Sequence, residues 1–295
     1  MHLVTFIAGG ERRIGLYDTG RGEVVDLARA APELPRDMIA FIALGEAGLV
    51  SARRALAGPT ARLPPAQLRL AAPIPRPRRN IFCVGKNYRE HAHELQKEGS
   101  TIAARDAIPE VPIFFTKATS TVIGPGEPIP AWLDPTRSTD YEGELAVVIG
   151  PGGRGIARAE AMRHVYGYTI INDATARVLQ GRHQQWFLGK SLDGFCPMGP
   201  AIVTADSVPE PGQLRVQTRV NGELRQNAGV SGLIFDIPVL IETLSRTLTL
   251  EPGDIIATGT PAGVGMGFKP PKYLKKGDVV AITIEPIGTL ENPVA

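Results

Sequence analysis

Cysteine is scarce in this 295-residue chain, which contains only Cys83 and Cys196. The two lie far apart in unrelated contexts, which excludes a disulfide framework and a metal site built from paired thiols. Aromatic residues amount to 6% and the formal net charge is +2, so the basic, ring-rich surface of a nucleic-acid-binding protein is missing. The short basic run 76–79 is interpreted as a solvated linker.

Long apolar runs are also missing, which argues against a membrane-spanning segment. The N-terminal apolar stretch reaches Gly9-Gly10 too soon for the core of a signal peptide. The remaining composition, 43% hydrophobic and 21% charged, is ordinary for a globular protein. We therefore expect a cytoplasmic, reduced protein with neither nucleic acid nor membrane as a partner.

Turn residues and short apolar segments predict a β-rich α+β fold. Residues 1–72 alternate like a β-meander with a helical part over 36–57, and a proline-rich stretch over 63–77 cannot continue a helix or a central strand. We place a domain boundary there, giving a small N-terminal β-rich domain, 1–72, and a larger domain, 73–295. Asn221-Gly222 predicts a hairpin, and the polar segment 98–110 is a candidate lid.

Two carboxylates head an apolar run in Asp140-Tyr141-Glu142-Gly143-Glu144-Leu145-Ala146-Val147-Val148-Ile149. Side chains alternate along a strand, so Glu142 and Glu144 point the same way, and a hard cation would offset their repulsion. Asp173, at the end of the next strand-like run, would complete an oxygen cage for Mg²⁺, Mn²⁺ or Ca²⁺. The alternative is that the glutamates are solvated and Asp173 caps a helix.

Other residues are candidates for catalysis. His91 and Glu94 are three apart on a predicted helix, so the carboxylate would orient the imidazole as a general base. Lys190, between glycines, would stabilise an oxyanion, and the Gly-rich run 258–265 would let Thr260 and backbone amides approach a small anion. The alternatives are a chance pair on an exposed helix, an ordinary loop lysine and a plain Gly-rich loop.

Several motifs occur in an order that resembles the fumarylacetoacetate hydrolase family. They are Asp140-Tyr141-Glu142-Gly143-Glu144-Leu145, Asn172-Asp173, the run 189–200 beginning Gly189-Lys190-Ser191, Val220-Asn221-Gly222-Glu223, and the run 250–265 that ends Thr258-Gly259-Thr260-Pro261-Ala262-Gly263-Val264-Gly265. The resemblance covers residues 80–295 and extends less specifically to 1–72. It implies a mixed β-sandwich roll with a small N-terminal β domain, usually a homodimer.

The resemblance also implies roles for individual residues. Glu142, Glu144 and Asp173 would bind Mg²⁺ or Mn²⁺, and His91 with Glu94 would close over the site and activate water. Lys190 would stabilise the anionic oxygen, Gln180 would contact substrate or water, and Thr260 would hold the substrate carboxylate. Tyr88 and Gly259 would contribute to substrate binding.

The chain departs from the family pattern at two places. Val178 stands where many members have an acidic residue, and Val230 lies in a stretch, 229–232, that is usually more polar. The pattern favours a hydrolase that cleaves a carbon–carbon bond in an acylpyruvate or fumarylpyruvate, with an enolate leaving group stabilised by the metal. The alternatives are a decarboxylase or isomerase of a 2-oxo diacid such as oxaloacetate at the same site, and a non-catalytic binding protein.

Overall fold

The computed structural model describes residues 1–59, 61–97 and 108–295. Its strands are β1 His2–Ala8, β2 Glu11–Asp18, β3 Glu23–Asp26, β4 Arg62–Leu63, β5 Arg69–Ala71, β6 Ile81–Gly85, β7 Ile113–Lys117, β8 Val122–Ile123, β9 Thr139–Asp140, β10 Gly143–Ile149, β11 Val165–Asn172, β12 Thr175–Ala176, β13 Cys196–Thr204, β14 Arg215–Val220, β15 Glu223–Gly229, β16 Ile255–Ala257, β17 Val279–Ile284 and β18 Gly288–Pro293. Its α-helices are α1 Leu27–Ala30, α2 Met38–Ala43, α3 Glu46–Ala57, α4 Arg89–Lys97, α5 Arg177–Arg182, α6 Phe187–Lys190 and α7 Ile237–Thr247.

A large mixed sheet organises the chain, in the order β4-β3-β2-β1-β13-β11-β10-β16-β6-β7, and a second sheet runs β15-β14-β17-β18. In the large sheet β10 pairs antiparallel with both β11 and β16, while β16 pairs parallel with β6. The paired strands β9 and β12 lie apart from both sheets. This arrangement confirms the predicted β-rich α+β fold.

Strand β10 is buried on both faces, which explains its uninterrupted apolar sequence. Val147 and Ile149 belong to the hydrophobic core that contains the inward residues of the second sheet and of α7. Ala146 and Val148 belong to a different core, shared with residues of α2 and of the N-terminal strands. A strand held this tightly is a rigid base for side chains at its start, where Glu142 and Glu144 lie.

The N-terminal segment extends the large sheet. Strand β1 pairs with β13 through His2↔Val203 and Leu3↔Ile202. The helical part expected over 36–57 is present as α2 and α3, separated at Gly45, whose φ is +55°. Whether residues 1–72 form a domain of their own remains a prediction.

The hairpin predicted from the sequence is present. Asn221 and Gly222, with φ of +51° and +82°, join β14 to β15. The candidate lid, 98–110, lies outside the described residues as far as residue 107. Among the helices of the described residues, we find none with the length and apolar character needed to cross a bilayer.

Candidate functional site

The three carboxylates predicted to bind metal come together at one end of the β10–β11 pair. Antiparallel pairing places the start of β10 beside the end of β11, and the backbone N–H of Asp173 donates to the carbonyl of Glu142 at 2.8 Å. One oxygen from each of Glu142, Glu144 and Asp173 lies within 4.8 Å of the others. The three side chains are buried, so the alternative of a solvated acidic face is excluded.

Two buried lysines hold Asp173. The ammonium of Lys117 is 2.7 Å from Asp173 Oδ1, and that of Lys190 is 2.7 Å from Asp173 Oδ2. Lys190 is also 2.8 Å from Glu142 Oε2, so it bridges two of the three carboxylates. Asp173 is therefore an internal anion anchored by two cations and not a helix cap.

Arg177 connects the cage to a fourth carboxylate. Its Nη1 lies 2.5 Å from Glu142 Oε1 and its Nε donates to Asp140 Oδ2 at 2.8 Å. Asp140 also accepts from the backbone N–H groups of Gly265 and Met266 at 2.7 and 3.0 Å. The network thus ties the Gly-rich loop to the acidic motif.

Four buried carboxylates lie together with three buried cations, namely Asp140, Glu142, Glu144 and Asp173 with Lys117, Arg177 and Lys190, and a further buried lysine, Lys86, lines the same cleft. Although burial opposes it, Lys190 and Arg177 lower the pKa of Glu142 well below its usual range. Burial and the carboxylates of Asp173 and Glu142 raise the pKa of Glu144 well above its usual value. Of Glu142 and Glu144, it is therefore Glu144 whose negative charge the neighbouring cations compensate less.

This donor set suits a hard divalent cation. Carboxylate oxygens are the ligands that Mg²⁺, Mn²⁺ and Ca²⁺ prefer, and a cation beside Glu144 would relieve the repulsion that raises its pKa.

The predicted dyad is also formed. His91 Nδ1 lies 3.1 Å from Glu94 Oε2, and Glu94 Oε1 accepts from the backbone N–H of Gly263 at 3.0 Å. His91 is buried and lines the same cleft as Glu142 and Glu144. The exposed-helix alternative is excluded for His91, because its ring faces the cage instead of solvent.

The remaining predicted residues lie in three different places. Gln180, Lys190 and Thr260 line the cleft, whereas Tyr88 lines a separate groove and its hydroxyl is buried. The backbone N–H of Gly259 donates a hydrogen bond to Glu144 Oε2 at 2.8 Å. Roles in substrate binding for this set remain predictions.

The Thr260 hydroxyl is already committed to structural hydrogen bonds. It donates to the Gly143 carbonyl at 3.0 Å and accepts from Gln226 Nε2 at 2.8 Å. Gln226 Oε1 in turn accepts from the N–H of Gly143 at 3.0 Å. Capture of a substrate carboxylate by this hydroxyl would require one of these bonds to break.

Three contributors to the site were not predicted from the sequence. Lys117 ends β7, whose other residues are only partly buried, but its own side chain is fully buried, where an unpaired ammonium would be costly. Arg177 directly precedes Val178, the first family departure, but was assigned no role, and Gln226 lies in an ordinary hairpin strand with no distinguishing pattern. Val178 stands where many family members have an acidic residue, and it is 39% exposed. The absence of that acidic group therefore changes the protein surface and not the carboxylate cage.

We expect Gly259→Ala to lower the affinity for Mn²⁺. Gly259 has φ of +109°, and an added Cβ would lie 2.8 Å from Asn87 Cβ, so the loop must shift and the hydrogen bond from its N–H to Glu144 is disturbed. Disturbing a group that orients a ligand costs roughly 10- to 100-fold in metal affinity. Titration calorimetry with Mn²⁺ measures this.

Gly277→Ala is the matched control. Gly277 has a similar φ of +92° but no atom within 4 Å of the added Cβ, so it incurs backbone strain without the contact. Equal Mn²⁺ affinity in the two variants would contradict the proposed link between Gly259 and Glu144.

Comparison with known proteins gives consistent matches. The family model described as Fumarylacetoacetate (FAA) hydrolase C-terminal matches residues 80–295. Oxaloacetate tautomerase YisK of Bacillus subtilis (strain 168) is 57% identical over 228 residues, which cover 77% of this chain and 73% of that protein. The mitochondrial oxaloacetate tautomerase Fahd2a of Rattus norvegicus is 42% identical over 298 residues, covering 100% of this chain and 91% of that protein.

A solved structure is similar to this chain as well. Maleylpyruvate hydrolase from Sphingobium sp. SYK-6, in complex with manganese(II) ion and pyruvate, has a TM-score of 0.80 at 35% identity, with 100% of this chain and 99% of that chain covered. A likeness of this extent confirms the predicted fold.

Proposed function

Since this chain belongs to the fumarylacetoacetate hydrolase family, whose members among its relatives are enzymes, we propose that it is a metal-dependent tautomerase of a short 2-oxo diacid, with oxaloacetate as the substrate. The sequence alone favours the hydrolase, but two relatives of high identity are named oxaloacetate tautomerases, which supports the isomerase alternative. The geometry that carries the proposal is an oriented imidazole facing a carboxylate cage across one small cleft.

Tautomerisation of a keto acid needs few catalytic groups. The C3–H bond of the keto acid breaks, its electron pair becomes the C2=C3 bond, and the C2 oxygen gains a proton. No carbon–carbon bond is cleaved and no water is consumed. One positioned base and a positive environment at the C2 oxygen are sufficient.

His91 is the base in this scheme. If Glu94 accepts the Nδ1 proton, the basic nitrogen is Nε2, which removes the proton from C3 and returns it in the reverse direction. The hydrogen bond from Gly263 to Glu94 keeps the carboxylate, and with it the imidazole, in one orientation.

Lys190 supplies charge and not basicity. Burial lowers its pKa, but the carboxylates of Asp173 and Glu142 outweigh that effect and raise the pKa above its usual value. The side chain therefore stays an ammonium and favours negative charge on a nearby oxygen. When bound by Glu142, Glu144 and Asp173, Mg²⁺ or Mn²⁺ would polarise the oxygens of the 2-oxo acid.

The charge balance of the site favours an anionic substrate. A divalent cation held by Glu142, Glu144 and Asp173 would add two positive charges beside Lys190 and Arg177. Arg177 Nη2 is buried and has no hydrogen-bond partner among the described residues. A buried guanidinium N–H of this kind is matched by a carboxylate oxygen, and a 2-oxo diacid carries two carboxylates.

A product assay tests the proposal. Mn²⁺-loaded protein is incubated separately with oxaloacetate and with an acylpyruvate in water enriched in oxygen-18, and the products are identified by mass. We expect faster keto–enol conversion of oxaloacetate, followed by ultraviolet absorbance because the two tautomers have the same mass, with neither carbon dioxide nor a labelled carboxylic acid formed above the rate given by Mn²⁺ alone. Faster cleavage of the acylpyruvate with oxygen-18 in the new carboxylate would identify a hydrolase instead.

A hydrolase is the second candidate because the maleylpyruvate hydrolase structure shares the fold over 100% of this chain. The His91–Glu94 pair could equally orient a water molecule, so the dyad alone does not distinguish the two reactions. The homodimer expected from the family stays a proposal, and light scattering that reports a 31.5 kDa species would contradict it.

A further inference from the structure

An aromatic wall bounds the cleft beside the carboxylate cage. Trp186 and Phe115 both line the cleft, with ring centroids 5.4 Å apart and an interplanar angle of 71°. The Lys190 ammonium lies 5.0 Å from the Phe115 centroid. A continuous series of contacts therefore leads from the cage through Lys190 and Phe115 to Trp186.

Trp186 is held in an unusual backbone conformation. Its φ of +61° lies in the left-handed region, which is rare for a bulky residue. The side chain is only partly buried, so packing in a hydrophobic core does not account for this conformation. Strained backbone of this kind persists where the surrounding structure imposes it, commonly at ligand sites.

Gly85 makes room for the indole. A Cβ at Gly85 would lie 2.6 Å from Trp186 Cζ3 and 3.1 Å from Cη2, whereas the next atom, Ile113 Cγ2, is at 3.8 Å. The indole thus packs directly against the backbone at the end of β6.

The space that remains is small. The volume open to the centre of a water molecule is about 20 Å³, while holding one water takes about 10–15 Å³ on the same measure. Trp186 is the largest side chain that lines this space, and it is separated from the cage by Lys190 and Phe115.

We propose that Trp186 is a specificity-determining residue that limits this site to short 2-oxo diacids. The inference rests on the proposed function, because it assumes that the cage holds the 2-oxo acid end of the substrate. Longer chains meet the indole, and truncation of Trp186 admits them. Other members of the family that accept longer substrates would need a smaller group at this place.

Binding of inert substrate analogues tests the inference without relying on turnover. Oxamate and the N-oxalyl derivatives of glycine and 4-aminobutyrate carry the 2-oxo acid group but undergo no tautomerisation. Calorimetry on the Mn²⁺-loaded native protein should give an affinity for N-oxalyl-4-aminobutyrate about 10²-fold below that for N-oxalylglycine. In Trp186→Ala this ratio should shrink by about tenfold or more.

Phe187→Ala is the matched control. It removes the adjacent aromatic ring, which is 40% exposed and not part of the cleft wall, so the native ratio should be retained. An unchanged ratio in Trp186→Ala overturns the inference even if the protein is a tautomerase. Conversely, absence of tautomerase activity with the predicted ratios overturns the proposed function alone. No binding of oxamate to the native protein overturns both.

A double-mutant cycle guards against misfolding of a single variant. Gly85→Ala should lower the Tm of the native protein, because the new methyl overlaps the indole, but should have little effect in the Trp186→Ala background. Equal Tm losses in both backgrounds would show that Gly85 does not position Trp186, and the proposed wall would be wrong.

Discussion

Glu144→Gln is expected to abolish metal-dependent activity while leaving the metal-free protein at least as stable as the native one. Glutamine keeps an acceptor for the Gly259 N–H but removes the carboxylate charge that Asp173 and Glu142 oppose. Mn²⁺ affinity should fall by at least about 10²-fold, since changes behind the ligands already cost 10- to 100-fold. Calorimetry with Mn²⁺ and thermal unfolding without metal measure the two effects.

Asp173→Asn distinguishes the loss of metal affinity from the effect on the stability of the metal-free protein. It also removes a ligand, but it takes from buried Lys117 its carboxylate partner and leaves Lys190 with Glu142 alone, which costs about 3–5 kcal/mol in the free energy of unfolding. Glu285→Gln, on an exposed glutamate, should change neither property. If Glu144→Gln bound Mn²⁺ like the native protein, the proposed cage would be refuted.

His91→Ala should lower turnover by about 10² to 10⁴, the usual contribution of a positioned acid–base group. Metal affinity should be retained, because His91 contacts Glu94 and is not a proposed ligand. Glu94→Gln should cause a smaller loss, since the imidazole remains but is no longer oriented by a carboxylate. Steady-state kinetics with metal at saturation measures each variant.

His93→Ala is a close control on the same helix. His93 is exposed, two residues from His91, and should keep near-native turnover. Equal losses in His91→Ala and His93→Ala would show that the effect arises from the helix and not from the proposed base.

The sequence predicts the acidic cage well because the information is local. An i, i+2 pair on a buried strand must share a face, and the end of the neighbouring strand supplies Asp173. The dyad is equally local, because His91 and Glu94 are three residues apart on one helix. The glutamate pair and the dyad needed only the period of a strand or a helix, whereas Asp173 also required its strand to lie beside that of the glutamates.

Contacts between distant segments could not be predicted in this way. The Asn87 side chain donates to the carbonyls of Thr258 and Phe235 and accepts from the Phe235 N–H, and no pattern near Asn87 indicates these partners. The pairing of Lys117 with Asp173 and the packing of Trp186 on Gly85 likewise depend on tertiary structure. Reaction type is harder still, since a hydrolase and a tautomerase use the same cage and dyad.

The most direct measurement follows the ultraviolet absorbance of enol-oxaloacetate after addition of the protein. Metal-free protein, Mn²⁺-reloaded protein and the same Mn²⁺ concentration without protein are compared. The account predicts that only the reloaded protein accelerates conversion to the keto form beyond Mn²⁺ alone, that chelation removes the acceleration, and that no carbon dioxide is released above the rate with Mn²⁺ alone. A rate equal to that of Mn²⁺ alone, or full acceleration by the chelated protein, would contradict a metal-dependent tautomerase.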